Sequence, residues 1–143
     1  MTNTQHTRPA DDRSVRHINP SAWNAAFGYD QAQLRPMPQQ LLTLAGQGPM
    51  SADGELLGAG DVRAQLTVAM ANVEQLLELG GMDLGDVLSL TVYVTDMGEA
   101  LAAYSAITDR MRVVGAAAPA TLVEVARLAV PGMQVEITAS AGR

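Results

Sequence analysis

An amphipathic helix pattern from about Asp61 to Leu79 constrains the fold more than any other feature of the chain. Asp61 is a suitable N-cap, because its carboxylate can accept a hydrogen bond from a free N–H of the first turn. Gly80 and Gly81 are suited to end the helix. A helix with one apolar face must bury that face against a second layer of structure. The face carries Val62, Leu66, Ala69, Val73, Leu76 and Leu77.

The segments around this helix have strand patterns. Residues 87–94 are rich in β-branched side chains, which is typical of a central strand. Shorter apolar or alternating runs predict strands at residues 41–45, 121–125 and 133–139. Turns are predicted at Asp53-Gly54 and at Val130-Pro131-Gly132.

A second helix is predicted from about Met97 to Val113, with Asp96 as its N-cap. Its apolar stripe would consist of Leu101, Tyr104, Ile107 and Met111. This order of elements indicates an α+β fold in which two helices cover one face of a mixed sheet. The other sheet face is then left uncovered. In a chain this small, we expect that face to carry apolar residues and to be buried by assembly of several subunits.

The length of 143 residues fits one domain. Residues 1–16 are polar and without apolar periodicity, which predicts a flexible N-terminal tail. Residues 17–143 are predicted to form the single domain. Near its start, Asn19-Pro20-Ser21 predicts a turn, and Trp23 is the only large aromatic residue available to anchor the segment.

Composition argues against several classes of function. The net charge of −6 disfavours nucleic acid as a partner, because such binding depends on Lys and Arg. No apolar run is long enough to span a membrane, and no signal peptide is recognisable, so we expect a cytoplasmic protein without a membrane partner. The chain has no cysteine, and its two histidines, His6 and His17, have no ligand partners at metal-binding spacing. We therefore expect neither a metal nor a cofactor.

Six short segments of the chain share a resemblance. They are Gly28-Tyr29-Asp30-Gln31-Ala32, Ala45-Gly46-Gln47-Gly48-Pro49, Asp61-Val62 with Gln65 and Asn72, residues 91–97, residues 119–128 and Val135-Glu136-Ile137. In this order and spacing they resemble the YjgF/RidA family over about Ile18 to Ala141. The resemblance implies a chorismate-mutase-like domain that forms a barrel-like homotrimer with ligand clefts between subunits. It also implies hydrolysis of reactive enamines and imines, such as 2-aminoacrylate, to a keto acid and ammonia.

The arginine that grips the substrate carboxylate in those enzymes is missing here. Counting back from Val123, the matching position is Ala120, and its neighbours Pro119 and Thr121 offer no guanidinium either. Arg127 lies seven residues further on, which is too far along a strand for a simple replacement. The resemblance therefore predicts a family member that is not a standard 2-aminoacrylate deaminase.

The resemblance assigns roles to a few residues. Glu136 would position or deprotonate the water that attacks the C=N carbon. Gly46 would contribute backbone polar groups, and Tyr29 would close the pocket with a hydroxyl. Tyr104 stands where the family often has an asparagine, and it would fill pocket space if it faces the cleft. Arg127 would be the remaining candidate for an arginine in the cleft.

Each assignment has a structural alternative. Glu136 could be the outward polar residue of an amphipathic strand. Tyr29 could be a packing residue in a loop, and Gly46 could serve close backbone packing. Tyr104 on the helix stripe is most simply a core residue. Arg127 is favoured as an interface ion-pair partner over a ligand clamp.

Three functions follow for comparison. The first is hydrolysis of an imine or enamine, and the second is a non-catalytic trimer that binds a small molecule. The third is the endoribonuclease activity with which the family is sometimes labelled. It ranks lowest, because the chain is acidic and lacks a His, Lys or metal constellation.

Overall fold

The protein has a four-stranded sheet with helices on one face. The computed structural model describes residues 15–143, so His6 and most of the predicted tail lie outside the described residues. In chain order the elements are β1 (Arg16–Ile18), β2 (Ala32–Leu34), β3 (Leu41–Thr43), α1 (Val62–Leu79), β4 (Val87–Val94), α2 (Met97–Ala103), α3 (Ser105–Val113), β5 (Ala120–Glu124) and β6 (Val135–Gly142). Single 3-10 turns at Ala25–Phe27 and Leu84–Asp86 complete the list.

The main sheet is mixed, with strand order β3-β6-β4-β5. Strands β4 and β5 are parallel, whereas β6 is antiparallel to both of its neighbours. Two parallel strands need a crossover connection, and α2 and α3 provide it. The predicted α+β fold with a mixed sheet and helices on one face is confirmed, and the predicted strand at residues 87–94 matches β4.

The core lies between α1, α2, α3 and the sheet. Alternate residues of β4 and β6 point into it, because successive side chains of a strand lie on opposite faces. Leu90, Val92 and Val94 of β4 and Val135 and Ile137 of β6 are all buried. From α1 the buried apolar residues are Val62, Leu66, Ala69, Met70, Val73 and Leu77.

The ends of α1 agree with the sequence. The Asp61 side chain accepts a hydrogen bond from the Ala64 backbone N–H at 3.0 Å, so Asp61 is the N-cap. Gly81 adopts a left-handed conformation with φ of 72° just beyond the C-terminus. This conformation strains residues that have a Cβ, so a glycine there ends the helix at little cost.

The predicted second helix is not continuous. It breaks at Tyr104 into α2 and α3, although Asp96 caps its N-terminus as expected by accepting a hydrogen bond from Glu99 N–H. Leu101 is 51% exposed, and Ala100 and Ala103 are buried in its place. The predicted stripe is therefore wrong at Leu101, because the core-facing positions before Ile107 and Met111 are taken by the two small alanines.

A separate two-stranded sheet, formed by β1 and β2, was not predicted. Its first strand begins at Arg16, the residue assigned to the end of the tail. Trp23, expected to anchor this region, is 63% exposed. Its ring contacts the edge of Tyr29 at a centroid distance of 6.2 Å, so it packs on the surface and not in the core.

The sheet face opposite the helices is uncovered within one chain. Its apolar character was overestimated, because most of its side chains carry hydroxyl groups. The residues on this face are Leu41, Thr43, Leu88, Ser89, Thr91, Tyr93, Thr121, Val123, Glu136, Thr138 and Ser140.

Candidate functional site

Glu136 and Gly46 are brought together on the uncovered face. Glu136 lies in β6 between Val135 and Ile137, both completely buried, so its carboxylate points away from the helices. Gly46 follows β3, and a Cβ added to it would lie 1.8 Å from Glu136 Oε1. No other residue type leaves room for the carboxylate in this position. The missing side chain of Gly46 therefore leaves the space that the Glu136 carboxylate occupies. Neither residue reveals this contact in the sequence.

Backbone hydrogen bonds hold this pair in register. Gln47 N–H donates to the Ile137 carbonyl at 2.8 Å, and Ile137 N–H donates to the Gln47 carbonyl at 2.9 Å. The residues after Gly46 and Glu136 thus form a bridge of paired bonds. The distance between the two segments is fixed by main-chain contacts, so it does not depend on side-chain rotamers.

Two amides of α1, one buried and one half-buried, hold the segments on either side of the pair. Gln65 is completely buried, and its Nε2 donates to the Gly132 carbonyl while its Oε1 accepts from Gln134 N–H at 2.7 Å. Asn72 Nδ2 donates to the carbonyls of Gly48 and Met50, each at 3.0 Å. Neither amide was assigned a role from the sequence. The available signal was polar residues seven positions apart on a helix that is otherwise apolar on that side.

The surroundings of Glu136 are uncharged. Tyr93 of β4 lies directly opposite it in register, and Val123 of β5 lies beyond Tyr93 in the same row. Within residues 15–143, no side chain or backbone group hydrogen-bonds or ion-pairs with the Glu136 carboxylate. The carboxylate is half-buried, and it is the one charged group among the uncovered-face residues named above.

Tyr29 and Tyr104 lie on the other side of the sheet. Tyr104, at the joint between α2 and α3, packs against the core. Burial, followed by the proximity of Tyr29, raises the pKa of Tyr104 to about 12, so its phenol stays protonated at neutral pH. Tyr29 also contacts the rings of Trp23 and Phe27. One chain therefore divides the predicted site into a Glu136 part and a tyrosine part.

Ala120 and Arg127 do not join either part. Ala120 begins β5, pairs with Leu90 and packs against the core on the helix side. Its methyl group offers nothing to a ligand. Arg127 lies beyond the end of β5, is exposed, and has no hydrogen bond or ion pair within the described part of the chain. Glu124 is structural, because its carboxylate accepts a hydrogen bond from Met97 N–H at the start of α2.

Two open clefts lie away from Glu136. The larger, of about 1200 Å³, has His17, Arg35, Asp86 and Arg143 on its wall. The smaller, of about 660 Å³, includes Tyr29. Glu136 lines neither, because in a single chain it stands on an open sheet surface.

A polar network, also not predicted, fixes the N-terminal segment that carries Tyr29. The Asp30 carboxylate bonds to His17, Asn19 and Gln33, with distances of 2.5 to 2.7 Å. Burial alone would raise the pKa of Asp30, but these hydrogen bonds together outweigh it and place the pKa below its ordinary value. Arg35 continues the network to the Val87 carbonyl, and burial lowers its pKa.

Within residues 15–143, no group of three or more His, Asp or Glu side chains is arranged to hold a metal ion. No helix in that range combines the length and apolar character needed to cross a bilayer.

Known proteins share this architecture. The chain is 31% identical to YyfB, a Rid-family protein of unknown function from Yersinia pestis, over 90% of this chain and 98% of that one, with a TM-score of 0.79. The YjgF gene product of Escherichia coli is 28% identical, with a TM-score of 0.66 and coverage of 80% and 87%. TdcF of E. coli, solved with bound serine, is 26% identical, with the same TM-score and coverage.

Sequence comparison leads to the same group of proteins. A RutC family protein of Pyrococcus horikoshii is 34% identical over 58 residues, which are 41% of this chain and 46% of the relative. The matched stretch thus spans about half of that protein. A profile described as endoribonuclease L-PSP matches residues 20–142. The chain therefore belongs to the endoribonuclease L-PSP family, the YjgF/RidA family that its sequence segments resemble, and has its chorismate-mutase-like fold.

Proposed function

We propose that the protein is a homotrimer in which Glu136 serves a small-molecule site completed by a neighbouring subunit. The observation that carries this proposal is the half-buried Glu136 carboxylate. It lies against Gly46 and has no hydrogen-bond or ion-pair partner in the described chain. An unpaired, partly buried charge is costly to maintain unless a ligand or another subunit compensates it. TdcF, a relative with this fold, binds serine, which supports a small molecule as the ligand.

The reaction that suits this arrangement is hydrolysis of an imine. The Glu136 carboxylate accepts a proton from a bound water, and the water oxygen forms a bond to the C=N carbon while the nitrogen takes up a proton. The resulting carbinolamine then loses its C–N bond. The products are a carbonyl compound and ammonia, so one imine and one water are consumed and no cofactor is needed. Tyr29 and Tyr104 would bound the cleft from the second subunit.

The hydrolysis is tested with imines generated in situ by an amine or amino-acid oxidase, with ammonia release followed over time. We expect the protein to accelerate release, and Glu136→Gln to reduce the acceleration at least about a hundredfold, the usual contribution of a general base. Glu78→Gln is the matched control, because Glu78 is exposed on α1 and its side chain has no hydrogen bond or ion pair in the described chain. Full activity in Glu136→Gln would contradict the assignment.

A second candidate is a trimer that binds a ligand without turnover. Ala120 favours it, because this position supplies no guanidinium to orient a substrate carboxylate. A thermal-shift screen would then find a ligand that raises the unfolding midpoint, since a ligand that binds only the folded state stabilises it. Conversion of that ligand to product would reject this candidate. Cleavage of RNA is not expected of a chain with a net charge of −6.

A further inference from the structure

The charges around Glu136 define the class of its ligand. The uncovered face carries hydroxyl groups, one phenol and three apolar side chains besides this carboxylate, and it carries no basic residue. Resting on the function proposed above, we infer that the Glu136 site takes a cation without a carboxylate. The ligand is a protonated imine or amine with an apolar substituent, and not an amino-acid-derived imine.

The arginines of the chain do not supply a counter-charge. All nine basic residues are arginines, so there is no lysine. Five of the seven in residues 15–143 use their guanidinium groups elsewhere: Arg35, Arg63, Arg110, Arg112 and Arg143 bind backbone carbonyls or nearby side chains. Arg16 belongs to the separate β1–β2 sheet, and Arg127 lies beyond the end of β5. Neither is placed among the uncovered-face residues.

The neighbours of Glu136 suit a cation. Tyr93 lies across the strand pair from Glu136, and side chains that face each other in this way have Cβ atoms roughly 5 Å apart. The face of a tyrosine ring attracts an ammonium or iminium group. Val123, next in the row, offers an apolar surface to the rest of the ligand. A carboxylate at the same place would meet the Glu136 carboxylate, with no guanidinium to bind it.

The inference is tested by calorimetric titration of the wild-type protein with two probes that share a phenylethyl group and carry opposite charges, 2-phenylethylamine and 3-phenylpropionate. We expect the ammonium probe to bind at least tenfold more tightly than the carboxylate probe. Glu136→Gln should remove this preference by weakening ammonium binding at least tenfold. Glu78→Gln should leave both affinities unchanged, because Glu78 is exposed on the helix side of the molecule.

Two outcomes would overturn the inference. Equal or tighter binding of the carboxylate probe would do so, and loss of that binding in Arg127→Gln would show that Arg127 of another subunit enters the site. Absence of binding by either probe would also overturn it. The titration involves no turnover, so it is independent of the hydrolysis assay. If the protein binds the amine but hydrolyses no imine, the inferred ligand class stands and the proposed hydrolysis is wrong. If the protein instead prefers amino-acid-derived imines, the proposed hydrolysis stands and the inferred ligand class is wrong.

Discussion

The role of Gly46 depends on its lack of a Cβ atom. Its backbone is not in the left-handed region, so conformational freedom does not explain a glycine at this position. The explanation is steric, because the Glu136 carboxylate occupies the volume of the missing Cβ. A single methyl group would therefore displace the carboxylate without removing it. A substitution at Gly46 therefore tests whether the position of the carboxylate matters, whereas a substitution of Glu136 tests only whether its charge is needed.

Gly46→Ala is expected to reduce ammonia release, or binding of the ammonium probe, about as much as Glu136→Gln. We expect its stability to fall by less than about 1 kcal/mol, because the displaced atoms are the end of a flexible side chain and can rotate away. Unfolding by urea, followed by circular dichroism, measures that change. Gly98→Ala is the control, since an added Cβ there meets its nearest atom at 3.4 Å and should leave function intact. A fully active Gly46→Ala would contradict the claim that the space at Gly46 positions the Glu136 carboxylate.

At the residue scale, the sequence predicted the candidates but not their grouping. The alternation of Val135, Glu136 and Ile137 correctly placed the carboxylate on the outer face of a strand. Its contact with Gly46 depends on the pairing of segments about ninety residues apart, which no local pattern encodes. Tyr104 was expected on a regular stripe, and the helix break that positions it has no proline or glycine to signal it.

The helix α1 does more than cover the sheet. Through Gln65 it binds the segment that leads into β6, and through Asn72 it binds the segment that follows Gly46. The segment that contains Gly46 and the segment that contains Glu136 are thus both attached to one rigid element. Such attachment limits the movement of the Gly46 and Glu136 segments relative to each other, as a preorganised site requires.

Gln65→Met tests this attachment, because methionine has a similar length and removes only the amide. The Gly132 carbonyl and Gln134 N–H would lose their buried partner, which costs about 1–3 kcal/mol. Urea unfolding followed by circular dichroism measures the loss. Gln75→Met on the exposed side of the same helix should cost less than about 0.5 kcal/mol. Equal effects of the two substitutions would mean that the buried amide contributes no stability.

The helix α1 and the strand β4 were predicted well, whereas the strands β1 and β2 were not predicted. The helix α1 and the strand β4 have enough residues for a period to be visible, and both were predicted nearly to the residue. The strands β1 and β2 have three residues each and no alternation between buried and exposed positions. They are held by the hydrogen bonds of Asp30 and its neighbours, and side-chain networks of this kind leave no periodic signal.

At the scale of the whole molecule, the helices cover one face of the main sheet and leave the other face open to a partner. Its threonines and serines are small and can hydrogen-bond across an interface, so they allow close approach of another sheet. The proposed trimer would bury this face and bring Glu136 of one subunit towards Tyr29 of the next. Sequence analysis predicted the uncovered face from the number of helices, but it could not predict the polar character of that face without the strand register.

Thr138→Arg tests the assembly. Thr138 lies at the centre of the uncovered face, in register with Thr91, and a long charged side chain there would prevent close packing of a second sheet. We expect the wild type, at 15.0 kDa per chain, to have a trimer mass of about 45 kDa by light scattering. The variant should fall to the monomer mass. Gln75→Arg, on the exposed side of α1, should remain a trimer, and a trimeric Thr138→Arg would exclude this face as the interface.

The exposed position of Trp23 determines what the intrinsic fluorescence of this protein can report. Trp23 is the only tryptophan, is 63% exposed and touches Tyr29. Its indole is already in contact with water in the folded chain, so unfolding of the core should change its emission spectrum little. Closure of a neighbouring subunit or ligand over Tyr29 would instead shield the indole and shift its emission to shorter wavelength. The single tryptophan is thus a built-in optical probe of the cleft and a poor probe of the core.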